Sequence, residues 1–117
     1  QQQDLLQGFE LIQSKDLDYV FSATNYSFPI QRAIKIDSDG KVNMFSPEFF
    51  NTRSQDLEEA WHDAGQFYWG TAQAWLQKHT VFSPNSNIIS LPSYRVQDID
   101  TLSDWHRAEM IASLMLK

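Results

Sequence analysis

The run Tyr19-Val20-Phe21-Ser22-Ala23 is the tightest constraint on how this chain folds. It is short, mostly apolar, and has the β-branched and aromatic content of a buried strand. Just before it, Leu5, Leu6, Phe9 and Ile12 fall at helical spacing, with Gln, Glu and Lys between them. That spacing predicts an amphipathic helix over residues 3–15, broken by Asp16-Leu17-Asp18. The alternation continues downstream. Residues 32–37 and 41–45 read as two strands of a hairpin, the first half-buried, around Ser38-Asp39-Gly40, where Asp-Gly tolerates the positive φ of a tight turn. Residues 46–63 lack a clean period and predict an irregular segment with a helical turn near Leu57. Ala64 to Gly70 is the most strand-like stretch. Thr71 then caps a short helix whose face is Ala72, Trp75, Leu76 and His79. Asn87 to Pro92 reads as extended. Thr101 opens a last helix, with Asp104 three residues on as in a capping box, and Trp105, Ala108, Ala112 and Met115 on one face, widened by Ile111 and Leu114. Strands alternating with helices give an α/β or α+β architecture.

Length and composition bound the rest. The 117 residues suffice for one domain. Apolar residues make up 42% and aromatics 14%, which supports a packed core rather than disorder. The formal charge of -6, with no Lys/Arg cluster, argues against a nucleic-acid or anionic-membrane partner. No apolar run has the length to span a bilayer. Cysteine is absent, which excludes disulfides and Cys-based zinc sites and fits a reducing compartment. The chain opens at Gln1 without Met and enters a helix pattern at once, which reads as the interior of a longer polypeptide.

Three stretches could carry chemistry. Asp98-Ile99-Asp100, if extended, aims two carboxylates one way and Ile99 into the core, and two hard oxygen donors suit Mg²⁺ bound to phosphates. The same acidic residues also suit the start of a helix as caps and dipole partners. Arg53 offers a guanidinium fork for a carboxylate, or stands as a solvated loop arginine. Gln66 and Tyr68 are expected on one face of a strand, with Phe67 and Trp69 on the other; an amide and a phenol together can hydrogen-bond sugar hydroxyls, though aromatic strands also simply pack. His62, His79 and His106 show no metal-ligand spacing, although His62 beside Asp63 could form a modest acid/base pair. Gly8, Gly40, Gly65 and Gly70 are isolated, so no Gly-rich basic loop exists to cradle a triphosphate.

Taken together, Arg53-Ser54-Gln55-Asp56-Leu57, His62-Asp63-Ala64-Gly65-Gln66-Phe67-Tyr68-Trp69 and Val96-Gln97-Asp98-Ile99-Asp100-Thr101, followed by Asp104-Trp105 and Ala108-Glu109, resemble the acylneuraminate cytidylyltransferases, which make CMP-activated nonulosonic acids. Phe28-Pro29-Ile30-Gln31-Arg32-Ala33 and the Asp63 to Trp69 run distinguish the branch from sialic acid enzymes, which carry Asn-Gly-aliphatic-aliphatic-Tyr in the latter place. The resemblance implies the C-terminal portion of a nucleotide-diphospho-sugar transferase-like fold: a mixed sheet with flanking helices and, over residues 28–63, a protruding hairpin arm used for homodimer contact. It implies Asp98 and Asp100 as the catalytic acidic pair holding Mg²⁺ against the phosphates of CTP. It implies Arg53, Gln66 and Tyr68 near the acidic nine-carbon sugar, with Phe82 by the acyl substituent and Arg32 beside the same pocket. The implied reaction is cytoplasmic transfer of CMP from CTP to the sugar with release of pyrophosphate. Because the family's nucleotide-binding loop is absent, the chain alone is expected to be inactive. A non-catalytic sugar-binding or dimerisation module, or a glycosyltransferase-like donor site built on Asp-x-Asp, are the competing readings.

Overall fold

A computed structural model describes residues 1–117. Three helices, α1 (Gln2–Ser14), α2 (Ala72–Leu76) and α3 (Leu102–Met115), accompany five strands, β1 (Tyr19–Asn25), β2 (Ile34–Ile36), β3 (Val42–Met44), β4 (Trp61–Gly70) and β5 (Ser86–Ser90). The chain forms two compact units. One comprises Gln1–Thr24 with Asp63–Lys117, and the other Asn25–His62.

In the larger unit β1 is the middle strand of the order β4-β1-β5. It runs parallel to β5, with Tyr19 opposite Ser86 and Ala23 opposite Ser90. Against β4 it runs antiparallel: Thr71 N–H donates to the Asp18 carbonyl at 3.1 Å, while Gln66 and Phe67, earlier in β4, meet Ser22, later in β1. The sheet is therefore mixed. Val20 packs with Ala64, Ile89 and Leu91, beneath Leu11 and Ile12 of α1 and beside Leu17, Phe67, Trp69 and Val96. Alternation turns Tyr19 and Phe21 to the other face. There the Tyr19 hydroxyl contacts the Ala74 and His79 carbonyls at 3.1 and 3.0 Å, and its ring meets Trp75 edge-on at 4.8 Å. Both faces of β1 are thus covered, as its mostly apolar run predicts.

The buried hydroxyls on β1 are satisfied. Thr24 Oγ1 donates to the Leu91 carbonyl at 2.7 Å, and Ser22 Oγ accepts from Gln66 and Phe67 N–H at 3.2 and 3.3 Å. That last pair reveals a kink in β4. Two consecutive N–H groups converge on one acceptor, and Gly65 sits at φ +68°. Ala64, Phe67 and Trp69 all belong to the same core. The step from 64 to 67 is odd, whereas a regular strand returns to a face every second residue. One extra residue is therefore inserted at Gly65-Gln66, a β-bulge, with glycine supplying the left-handed backbone.

Helix α1 matches the expected span, and Ile12 reaches the core as expected, but the rest of the expected face does not. Leu5, Leu6 and Phe9 stay substantially exposed, and Asp4 and Gly8 are buried instead. Two long-range contacts set this rotation. Asp4 Oδ2 accepts from Arg95 Nη1 at 2.8 Å, and a side chain at residue 8 would meet the Trp69 ring at 2.8 Å, so only glycine lets helix and strand approach. The Arg95 guanidinium, bonded to Asp4, holds that carboxyl below its ordinary value of 3.8. A depressed folded-state value means the pair stabilises the fold fully above the unfolded value and loses its contribution as pH falls through the folded one. Asp4→Asn is expected to lower the urea midpoint at pH 7. The gap to the parent chain should shrink on acidification below pH 3.8, as measured by urea melts across that range.

Helix α2 is a single capped turn, with Thr71 Oγ1 accepting Ala74 N–H at 3.1 Å. It ends before His79, and Ala74 rather than Leu76 is its buried residue. The capping box of α3 is present: Asp104 N–H donates to Thr101 Oγ1 at 3.1 Å and Thr101 N–H to Asp104 Oδ2 at 2.9 Å. The apolar face of α3 is less covered than expected, with Trp105 and Leu114 largely exposed.

In the smaller unit β2 and β3 pair antiparallel, Ile34 opposite Met44 and Ile36 opposite Val42. The predicted turn forms: Gly40 adopts φ +78°, and Asp37 Oδ1 accepts Asp39 and Lys41 N–H, both at 2.9 Å. The half-buried reading of the hairpin does not hold. Ile34, Ile36 and Val42 are all exposed, because no further layer of this unit covers the two-stranded ribbon. The irregular stretch contains short 3₁₀ turns at Pro47–Phe49 and Ser54–Asp56.

Candidate functional site

The bulge in β4 decides where its polar side chains go. Asp63 and Tyr68 are five apart, which in a regular strand puts them on opposite faces. The inserted residue restores them to one face, and the Tyr68 hydroxyl donates to Asp63 Oδ2. Asp63 Oδ1 accepts Gly65 N–H at 2.8 Å, which ties the carboxylate to the bulge itself. Tyr68 stacks on Phe21 at 5.8 Å, and Phe82 meets Phe21 at a tilt, with ring centroids 5.4 Å apart. Asp63, Tyr68, Trp75, Val81 and Phe82 together line an open recess of about 360 Å³, in the size range of small-ligand sites. The hydrogen bond to Asp63 holds the Tyr68 phenol protonated and raises its pKa from 10.0 to about 12, with burial adding to the shift.

Gln66 does not join them. The same-face expectation for Gln66 and Tyr68 fails because Gln66 occupies the bulge. Its Nε2 donates to the Arg95 carbonyl at 2.8 Å, and it lines a different recess with Tyr94, Arg95 and the α3 residues Ala108, Ile111 and Met115. Sequence alternation missed the insertion. The signal for it was an isolated glycine within a strand pattern.

Asp98 and Asp100 precede α3 in irregular backbone rather than in a strand, and Ile99 is 46% exposed instead of pointing into the core. The short segment follows the 3₁₀ turn Ser93–Arg95 and runs straight into the cap of α3, leaving no ladder to enforce alternation. Both carboxylates are exposed and neither is engaged by a protein hydrogen bond or ion pair. Asp104, by contrast, is committed: the Asp100 N–H first, then Thr101, keep its carboxyl below the usual carboxylate range. No group of three or more His, Asp or Glu side chains is placed so that it could hold a metal ion. Two exposed carboxylates have the donor chemistry that suits a hard cation, but the irregular backbone does not hold them to one face.

Arg32 and Arg53 lie in the smaller unit. Arg32 Nη2 donates to the Thr52 carbonyl, and Arg53 Nε pairs with Asp56 Oδ2 at 3.0 Å. The Thr52 contact brings Arg32 to the residue preceding Arg53. Arg32 also lines an apolar recess with Tyr26, Phe28, Ile30, Ile34 and Ser54. The Arg53 terminal nitrogens carry no protein partner, which leaves them available to an anion.

No family model matches the chain. Over 107 residues it is 40% identical to the pseudaminic acid cytidylyltransferase of Campylobacter jejuni serotype O:2, a match spanning 92% of this chain and 46% of that enzyme. This chain is homologous to part of the pseudaminic acid cytidylyltransferases. The serotype O:23/36 enzyme gives the same figures. A Helicobacter pylori protein named both as pseudaminic acid cytidylyltransferase and as UDP-2,4-diacetamido-2,4,6-trideoxy-β-L-altropyranose hydrolase is 37% identical over 100 residues, covering 85% of this chain and 19% of that protein. The chain thus spans about half the length of the Campylobacter cytidylyltransferases it matches. No helix in it is long and apolar enough to cross a membrane.

Proposed function

We propose that this chain is the sugar- and metal-binding part of an enzyme that transfers CMP from CTP to pseudaminic acid, giving CMP-pseudaminic acid and pyrophosphate. The observation that carries the reading is 40% identity across 92% of the chain to an enzyme of that name. The isolated glycines mean that the phosphate cradle for CTP comes from residues other than these 117. In the proposed reaction the sugar's anomeric hydroxyl attacks the α-phosphorus. A new P–O bond forms, the bond to the β-phosphate oxygen breaks, and pyrophosphate leaves. Asp98 and Asp100 would hold Mg²⁺, which supplies neutralisation of charge on the phosphates. Arg53 pairs with the sugar carboxylate, with Arg32 beside it. Tyr68 and Phe82 face the sugar's substituents, whereas Gln66 lines a different recess.

The fold belongs, on this reading, to the C-terminal portion of a nucleotide-diphospho-sugar transferase-like domain. The 25–62 unit is its homodimer arm, which accounts for the exposed Ile34, Ile36, Val42 and Phe45 on a small ribbon. The dependence on CTP puts the reaction in the cytoplasm.

The test is sugar-dependent release of pyrophosphate from CTP by the intact enzyme carrying these residues. Arg53→Ala is expected to raise KM for pseudaminic acid roughly tenfold or more while leaving KM for CTP unchanged, since only the sugar carboxylate loses a charge-assisted bond. No release above a sugar-free control would sink the proposed activity. An unchanged sugar KM would remove Arg53 from the site.

A further inference from the structure

The pairing of Asp63 with Tyr68 has a chemical consequence for what the aromatic recess accepts. A phenol owns one proton. Here that proton points at Asp63 Oδ2, so the oxygen keeps only lone pairs to offer elsewhere. The carboxylate cannot swing away freely, because its other oxygen is held by Gly65 N–H. The ring cannot turn freely either, stacked as it is on Phe21. Around the oxygen the recess is apolar, with Trp75, Val81 and Phe82 forming the remaining wall.

We propose that Asp63 is a positioning residue that fixes Tyr68 as a hydrogen-bond acceptor, so that the recess takes a ligand group that donates, a hydroxyl or a secondary amide N–H, attached to an apolar portion resting on Trp75 and Phe82. The ligand assignment rests on the sugar-binding reading of the recess. The Asp63–Tyr68 coupling does not. The bulge supports the design: without the residue inserted at Gly65-Gln66, Asp63 and Tyr68 would stand on opposite faces of β4. The phenol's raised pKa, near 12, is what a proton held by a carboxylate should show.

Asp63→Asn is the informative change. Its amide oxygen can still accept Gly65 N–H, which keeps the bulge, but its NH₂ then faces the Tyr68 oxygen and drives the phenol proton out toward the recess. The polarity of the site inverts. Two measurements follow. In an ultraviolet titration of the 117-residue chain, with Tyr68→Phe identifying the relevant tyrosine and circular dichroism confirming the fold, Asp63→Asn should return Tyr68 from about 12 toward 10.0. In the intact cytidylyltransferase, Asp63→Asn should raise KM for the sugar roughly ten- to a hundredfold, the effect of opposing two donors, with kcat and KM for CTP little changed. Substrate analogues methylated at single hydroxyl or amide positions locate the donor: the analogue that the parent enzyme rejects, and that Asp63→Asn no longer distinguishes, carries the docking group. If Asp63→Asn fails to fold, Tyr68→Phe, which keeps the ring, must show the same rise in sugar KM.

A Tyr68 that still titrates near 12 in Asp63→Asn overturns the coupling. An unchanged sugar KM in both variants overturns the ligand assignment. An intact parent enzyme with no sugar-dependent turnover removes the cytidylyltransferase reading and the ligand assignment with it, and the titration still decides the coupling.

Discussion

Asp98→Ala, in the intact enzyme carrying these residues, is expected on the proposed reading to reduce Mg²⁺-dependent turnover about a thousandfold or more, with the fold unchanged. The magnitude follows from charge. A divalent ion at a phosphoryl centre supplies several kcal/mol of transition-state stabilisation, and each 1.4 kcal/mol is a factor of about ten. Removing one of two carboxylates forfeits much of that, because no group of three or more His, Asp or Glu is placed to hold a metal ion and the neighbouring Asp104 is committed to the α3 cap. The fold should survive because Asp98 is exposed and its carboxylate makes no protein contact. Asp100→Ala should act similarly on turnover. Its backbone N–H, which bonds Asp104 at 3.0 Å, is retained, so the cap of α3 persists. Initial rates across a Mg²⁺ titration, with circular dichroism on the same samples, check the point. A rate within a few-fold of the parent at saturating metal would take Asp98 out of the metal site.

Leu91→Ala is expected to cost about 3 kcal/mol of stability, a large share of what a small domain possesses. Leu91 is 1% exposed and closes the core formed by Val20, Ala64 and Ile89. Its backbone is pinned on both sides, N–H to the Ala23 carbonyl at 2.9 Å and carbonyl to Thr24 Oγ1 at 2.7 Å, so the chain cannot move inward to fill the void. Urea denaturation should show a lower midpoint with an unchanged slope, the mark of lost packing rather than an altered unfolded state. A loss under about 1 kcal/mol would mean the cavity collapses and the pinning is weaker than the geometry implies.

Local chemistry was legible in the sequence wherever neighbouring residues complete the feature. Thr101 with Asp104, Asp39 with Gly40, and Thr71 ahead of Ala74 each form the predicted cap or turn, because both partners lie within four residues. The buried strand was legible too, since Tyr19 to Ala23 carries its own apolar run. What escaped depends on distant partners. Which stripe of α1 is buried is settled by Asp4 reaching Arg95, 91 residues away, and by Trp69 pressing on Gly8. No periodicity within residues 2–14 contains that information. Among the residues singled out from the sequence, Tyr68 and Phe82 share a recess, whereas Gln66 was misplaced by one inserted residue. Asp98 and Asp100 are exposed, in irregular backbone rather than on the strand that would have aligned them. Asp63, with no expected role beyond a pairing with His62, emerges as the partner of Tyr68, a link that alternation forbids and the bulge creates.

The kink at Gly65 also bears on how such a recess can be moved between proteins. Residues 63–68 behave as one inseparable cassette: carboxylate, kink and phenol have meaning only at this interval. A graft that copies Tyr68 and Phe82 onto an unkinked strand would transplant the aromatic wall but not the acidic partner that gives the phenol its direction.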